Sequence, residues 1–150
     1  MISSILLLQL VASVGMASVI WFVQIAHYPL HLHVPADSFV AYQRSHMRRV
    51  TFIVGPLMLI ETIAAAWILF LPLPCELVDL AWIGITLVVL LWVSTAVWQV
   101  PCHRRLEIGR DERALRTLIH TNWIRTALWT ARSVVACAMV WPLLSGTTTL

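Results

Sequence analysis

Four long apolar segments separated by short connections dominate this chain, and few folds can accommodate them. They lie at about residues 5–27, 50–71, 80–100 and 123–144, and each is long enough to cross a hydrocarbon layer about 30 Å thick as a helix. Charged residues make up 11% of the sequence, whereas soluble domains carry about 25%. The pattern predicts an all-α membrane protein, a transmembrane antiparallel four-helix bundle formed as one domain over residues 1–150.

The connections differ in charge, and this difference predicts the orientation of the helices. The ten basic residues are all arginines, and they lie mainly in the connections at 28–49 and 101–122. The connection between the second and third segments contains Glu76 and Asp79 and no arginine. By the positive-inside rule, we expect the arginine-rich connections in the cytoplasm and both termini on the extracytoplasmic side of a bacterial inner membrane. This charge pattern is typical of a bilayer partner and does not favour nucleic acid.

Capping residues and prolines predict where the helices begin and end. We expect the first helix to end at His27, the stretch Tyr28–Ala36 to be irregular, and Pro101 to end the third helix. Asp37 or Ser38 is a candidate N-cap, and an amphipathic pattern also begins at Asp111. Helices two and four are therefore predicted to start on the cytoplasmic side, outside the hydrocarbon, and to run into it without a break.

The fourth segment carries costly polar residues on one face. Asn122, Arg125, Trp129 and Arg132 are spaced i, i+3, i+7 and i+10, so a helix aligns them in a stripe. An arginine near the bilayer centre costs about 2.5–3.5 kcal/mol, so the stripe needs a polar partner or a wet cavity. Glu61, in the second segment, is the predicted partner of Arg132. A structural ion pair and a ligand-binding role both remain open for them.

Each predicted helix also carries a polar pair near its cytoplasmic end. Residues i, i+3 or i, i+4 share one helix face, so each pair can turn towards the other helices. The pairs are Gln24 with His27, His46 with Arg49, Gln99 with His103, and Asn122 with Arg125.

Together these side chains predict a polar pocket at the cytoplasmic end of the bundle, open sideways to the bilayer. Arginines outnumber carboxylates there, which favours a lipophilic aromatic or quinone-like ligand that is or becomes anionic. The predicted catalytic residues are His46, His103, Arg125 and Asn122. The predicted ligand-binding residues are Gln24, His27, Arg49, Glu61, Gln99, Trp129 and Arg132.

Two other functions fit the same residues. The polar side chains could be interhelical hydrogen bonds in a non-catalytic small subunit, bound to other membrane subunits or to copies of itself. The chain could instead be a haem-binding or quinone-binding electron-transfer protein. Whether it is an enzyme is left open by the sequence.

The cofactor is likewise left open. His27, His46 and His103 lie on different helices at a similar level, where they could hold one metal ion or, as a pair, a haem. The di-iron carboxylate pattern of two glutamates and two ExxH motifs is absent, and no HxxxH, ExxH or CxxCH motif is predicted within a helix. His31, His33 and His120 are predicted to be solvated or interfacial.

Two motifs give the chain a resemblance to a known family. Gln99-Val100-Pro101-Cys102-His103-Arg104-Arg105-Leu106, followed by Asn122-Trp123-Ile124-Arg125-Thr126, resembles the anthrone oxygenase-like family of small four-span membrane proteins. That family is similar in its third span, which ends in proline, a polar residue and leucine, and in a fourth span entered through His/Asn-x-x-Arg. It has asparagine where this chain has His103.

The resemblance implies oxygenation of an activated phenolic carbon, with or without a metal. It also implies that His46 or His103 is the base and that Arg125 and Asn122 stabilise the enolate.

A faint internal repeat divides the chain into hairpins at 1–75 and 76–150. His27, His46 and Arg49 recur 76 positions later as His103, Asn122 and Arg125. This spacing predicts a parallel repeat, with a pseudo-two-fold axis along the membrane normal.

Overall fold

The computed structural model describes residues 2–145, apart from the side chains of residues 143 and 144. Within this range the protein is all-helical and has no strand, which confirms the predicted all-α class. The four helices are α1 (Ile2–His31), α2 (Phe39–Ile68), α3 (Cys75–Leu106) and α4 (Glu112–Ser145).

Of these described helices, α1, α2 and α3 are long and apolar enough to cross a membrane. The apolar part of α4 contains Arg125 and Arg132, and α4 is not among the three. The structure thus supports a membrane protein with three candidate spans, and a fourth span stays a prediction.

The helices pack unevenly around a common core. α1 packs closely against α2 and α4, and α3 packs closely against α4, whereas α2 and α3 contact each other much less. Buried apolar residues form one cluster at each end of the helices and one in the middle, where Met16, Met58 and Trp129 meet. The loose packing between α2 and α3 leaves room for a cavity.

The first helix is longer than the sequence predicted. Val23–His27 forms a π-helical turn in which the Tyr28 N–H bonds to the Val23 carbonyl, and the helix continues to His31. The prediction of irregular chain from Tyr28 onward is therefore wrong for Tyr28–His31. Pro29 is tolerated because the wider turn before it relieves the clash that proline makes with a regular helix.

The third helix also has a π-helical turn before a proline. Thr95–Gln99 forms a π-helical turn in which the Val100 N–H bonds to the Thr95 carbonyl, and the helix runs on to Leu106. The prediction that Pro101 ends the helix is wrong for the same physical reason. The two π-turns lie 72 positions apart, not the 76 of the proposed repeat, and the repeat itself stays a prediction.

The long helices α2 and α4 run unbroken into their apolar segments, as predicted. Asp111 caps α4, because its Oδ1 accepts the Ala114 N–H at 3.0 Å. Ser38 precedes α2, but its hydroxyl bonds to the Pro35 carbonyl at 3.3 Å and does not cap the helix.

The two arginine-rich connections meet at one end of the molecule. Arg110 donates from Nη1 to the Val34 carbonyl at 2.9 Å and from Nη2 to the Leu32 carbonyl at 3.0 Å. The other arginines of the two connections are exposed, as expected of residues that set orientation: Arg44, Arg48, Arg49, Arg104, Arg105, Arg113 and Arg116.

Candidate functional site: a ligand cavity beside a histidine cluster

A cavity of about 350 Å³ lies among the four helices, beside the loose contact of α2 and α3. Its exposed lining residues all belong to α2 and α3, so the cavity opens between these two helices: Thr51, Leu59, Trp92 and Val100. Most of its wall is apolar. Besides Thr51 and Thr95, its polar lining side chains are Tyr28, His46, Gln99, His103 and Arg125.

Arg125 is the buried cation of the cavity wall, and the amide side chains of Asn122 and Gln24 hold it in place. Its side chain is 6% exposed, and Nη1 donates to Asn122 Oδ1 at 3.2 Å. Asn122 Nδ2 in turn donates to Gln24 Oε1 at 2.8 Å, and Gln24 Nε2 donates to the Ile119 carbonyl at 3.3 Å. Gln24 and Asn122 are thus behind the guanidinium and not in the cavity wall.

No carboxylate neutralises Arg125. Among residues 2–145 the ion pairs join Arg110 with Glu112 and Arg132 with Glu61. The Nη2 group of Arg125 forms no hydrogen bond with any described residue, and Nε is buried without one. The cavity therefore ends at a buried positive charge with donors to spare.

Gln43 connects the two histidine-bearing sides of the site, and sequence reasoning missed it. The side chain is fully buried. Its Oε1 accepts from Nε2 of His31 at 3.1 Å, and its Nε2 donates to Nδ1 of His103 at 3.0 Å. The available signal was its position one helical turn before His46, on the same face.

This bonding places protons on particular ring nitrogens. Because Gln43 donates to Nδ1 of His103, a neutral His103 carries its proton on Nε2, which lies 3.5 Å from the Tyr28 hydroxyl. Rotation of the amide by half a turn exchanges its donor and acceptor and frees Nε2 of His103 to accept a proton.

Three histidines form a cluster next to the cavity. Nε2 of His27 lies 3.0 Å from Nδ1 of His46, and their rings stack with centroids 4.5 Å apart. His31, one turn beyond His27 on α1, packs edge-on against both rings. His31 is fully buried, so the prediction that it is solvated or interfacial is wrong, whereas His33 and His120 are exposed as predicted.

Arg49 lies outside the cavity. Its side chain is exposed and lines a shallow groove between α1 and α2, together with His27, His46 and apolar residues. His46 lines both the groove and the cavity. His27 faces only the groove, so the structure separates it and Arg49 from His103 and Arg125.

Of the remaining predicted ligand-binding residues, Glu61, Trp129 and Arg132 lie away from the cavity wall. Arg132 Nε is 2.6 Å from Glu61 Oε1, and both side chains are at most 1% exposed. Trp129 is buried in the middle cluster. Gln99 does line the cavity and donates to Thr121 Oγ1 at 3.1 Å. The structure therefore joins Glu61 to Arg132 as predicted but gives neither a place in the cavity.

No family model, curated protein or solved structure matches this chain.

Proposed function

We propose that the chain is an integral membrane oxidoreductase of oxygenase-like type, which takes a lipophilic aromatic phenol or quinol from the bilayer. Arg125 carries this proposal. It is a buried cation in the wall of a mostly apolar cavity, and among the described residues it has no acidic partner.

A buried charge without a counter-charge is strongly unfavourable, by several kcal/mol. A ligand whose oxygen becomes anionic would supply the missing partner and would be stabilised by the charge-assisted hydrogen bonds of Arg125. The apolar wall at Val54, Met58 and Leu59 suits the aromatic body of such a ligand. The opening between α2 and α3 suits entry from lipid, because the residues around it are exposed and mostly apolar.

The histidines of the cavity supply the acid–base chemistry. His46 or His103 takes the proton from the ligand, and Arg125, oriented by Asn122, stabilises the resulting enolate. The resemblance to the anthrone oxygenase-like family supports oxygenation of the activated carbon as the next step. With anthrone as substrate, one atom of O₂ becomes the new carbonyl oxygen, and the other leaves as water with the two displaced hydrogens.

The same proposal includes the membrane arrangement. We place all four helices across the inner membrane as an antiparallel bundle, with the arginine-rich connections in the cytoplasm and both termini extracytoplasmic. Trp123, Ile124, Val134 and Trp141 are exposed on α4, so its outer face is apolar although Arg125 and Arg132 are buried on its inner face.

Binding of a phenol and of its methyl ether tests the proposal. The protein in lipid nanodiscs is titrated with 1-naphthol and with 1-methoxynaphthalene, and quenching of Trp92, which lines the cavity, reports binding. We expect Arg125→Gln to weaken 1-naphthol binding at least tenfold, since a hydrogen bond to a charged group contributes about 1.5–3 kcal/mol. The ether, which has no hydroxyl to ionise, should lose little affinity.

Arg116→Gln is the matched control, because Arg116 is an exposed arginine on the same helix. Trp92→Phe should remove the ligand-dependent quenching, and Arg125→Lys keeps the charge if the glutamine variant does not fold. Equal binding of the two naphthalenes by the native protein would contradict the proposal. Oxygen uptake with anthrone then separates an enzyme from a binding protein.

A further inference from the structure

The geometry points to a transition-metal site formed by His27, His31 and His46, at the groove between α1 and α2. One ring nitrogen of each histidine lies within 4.8 Å of the others. This set differs from the three histidines singled out from the sequence, because His31 replaces His103. The site does not depend on the ligand proposed for the neighbouring cavity.

The helix extension creates the site. Because α1 continues through Pro29, His27 and His31 stand at i and i+4 on one helix and project to the same side. Two histidines at this spacing are a common way for a helix to hold a zinc ion. His46 is added from α2, so the cluster joins two helices at a single point.

The distances are close to those that an ion requires. Metal–nitrogen bonds of about 2.0–2.1 Å at a tetrahedral angle separate two ligand nitrogens by roughly 3.3 Å. Nε2 of His27 and Nδ1 of His46 are 3.0 Å apart, so an ion between them requires only a small widening. One nitrogen of His31 lies within 4.8 Å of both, so small shifts of the two helices bring all three ligands to bonding distance.

Gln43 gives His31 the kind of support that metal ligands have. Metal-ligating histidines usually donate their second ring N–H to a carbonyl or carboxylate, which fixes the ring. Here Nε2 of His31 is bonded to Gln43 Oε1 at 3.1 Å, so Nδ1, which is buried, is the nitrogen left for the ion.

The chemistry of the three ligands selects the metal. Three neutral imidazoles with no carboxylate suit zinc, iron, cobalt, nickel or copper, and do not suit calcium or magnesium. His27 and His46 are only partly buried and line the groove, so a fourth position stays open to a small molecule.

Titration with cobalt tests the site. The chelator-treated full-length protein in nanodiscs is titrated with Co²⁺, whose visible absorption bands gain intensity when it is bound by nitrogens in a low-coordinate site. We expect one Co²⁺ per chain, displaced by Zn²⁺. His27→Ala, His31→Ala and His46→Ala should each weaken binding at least tenfold. Affinity should also fall as the pH is lowered, because protons compete with the metal ion for the ring nitrogens.

His33→Ala is the matched control, because His33 is two residues from His31 yet exposed. His31→Gln replaces His31→Ala if the alanine variant does not fold. Absence of the absorption bands in the native protein would overturn the proposal without any variant. Equal Co²⁺ affinity in the native protein and the three cluster variants would overturn it too, as would an equal loss in the His33 variant.

Discussion

At the scale of single residues, Glu61 and Arg132 show how the fold tolerates charge in an apolar interior. Their contact of 2.6 Å is almost fully shielded from solvent. Removal of one partner of a buried pair costs about 3–5 kcal/mol, because the other charge is left alone. The two partners differ, however, since a carboxylate can take up a proton and become neutral, whereas a guanidinium keeps its charge.

We therefore expect Glu61→Gln to lower the free energy of unfolding more than Arg132→Gln does. The double variant Glu61→Leu with Arg132→Met should be more stable than either single variant, because it leaves neither charge of this pair buried without its partner. Denaturation in mixed micelles measures all of these. Arg113→Gln, an exposed arginine of the same helix, is the control. Equal losses from the two single variants would contradict this account.

Gly84 allows the guanidinium of Arg132 to lie against α3. A Cβ atom added at Gly84 would stand 3.1 Å from Arg132 Nη1 and 3.3 Å from its Cζ. Gly84→Ala should therefore destabilise the protein by about 1–3 kcal/mol, as overpacking of a core does.

Gly15→Ala provides the matched comparison. A Cβ at Gly15 meets Leu57 at 3.8 Å, an ordinary contact, so this variant should be neutral or stabilised by the higher helix propensity of alanine. Melting temperatures of the two variants in the same detergent check the contrast. Similar shifts for both variants would contradict the proposal that the close approach of Arg132 requires glycine at position 84.

At the scale of helices, the π-turns decide which side chains reach the cavity. A π-turn holds one residue more than a regular turn, so it absorbs an insertion without rotating the rest of the helix. In α3 the turn Thr95–Gln99 directly precedes the segment that carries His103. The extra residue therefore contributes to setting the face on which His103 stands.

Single deletions test this role. Deletion of Val97, an exposed residue inside the π-turn, should restore a regular turn and leave His103 facing Gln43, with a small change in melting temperature. Deletion of Val89, equally exposed but in regular helix, should rotate Leu91 and Ser94 out of the core and destabilise the protein much more. An equal effect of both deletions would contradict the assignment of the extra residue to the π-turn.

The helices were largely predictable from the sequence, and their ends at the prolines were not. Apolar periodicity and the cap at Asp111 place α2 and α4 well, because these signals are local. Proline usually stops a helix, so the continuation of α1 to His31 and of α3 to Leu106 could not be predicted without the π-turns. The His27–His31 pairing was missed for this reason.

The sequence predicted those site residues whose exposure to lipid has a high free-energy cost. Exposure of Arg125 to lipid would be costly, so its side chain turns towards the other helices. Asn122 shares its helix face, so the closeness of the two side chains follows from their spacing. Gln43 is uncharged and stands in an arginine-rich stretch, so its burial depends on how α2 meets α1 and α3. Arg49 was predicted to face the pocket, but its side chain is exposed at the groove between α1 and α2.

At the scale of the whole molecule, the four-span arrangement requires α4 to cross the membrane. Among the described residues, α4 is not one of the three helices long and apolar enough to span, yet its two internal arginines are both buried by the fold. A helix whose charges face its neighbours can present an apolar surface to lipid in spite of a low average hydropathy. The native cysteines distinguish a spanning α4 from one that lies in water.

Cys137 lies on the exposed face of α4, and Cys75 is exposed at the start of α3. Maleimides react with the thiolate, which forms in water and not in hydrocarbon. If α4 spans the membrane, a membrane-impermeant maleimide added to intact cells should label Cys75 and leave Cys137 unmodified until detergent is added. Mass spectrometry of the labelled peptides, with Cys75→Ser and Cys137→Ser as controls, reads out both sites. Labelling of Cys137 in sealed membranes, from either side, would place α4 in water, and the four-span arrangement would fall with it.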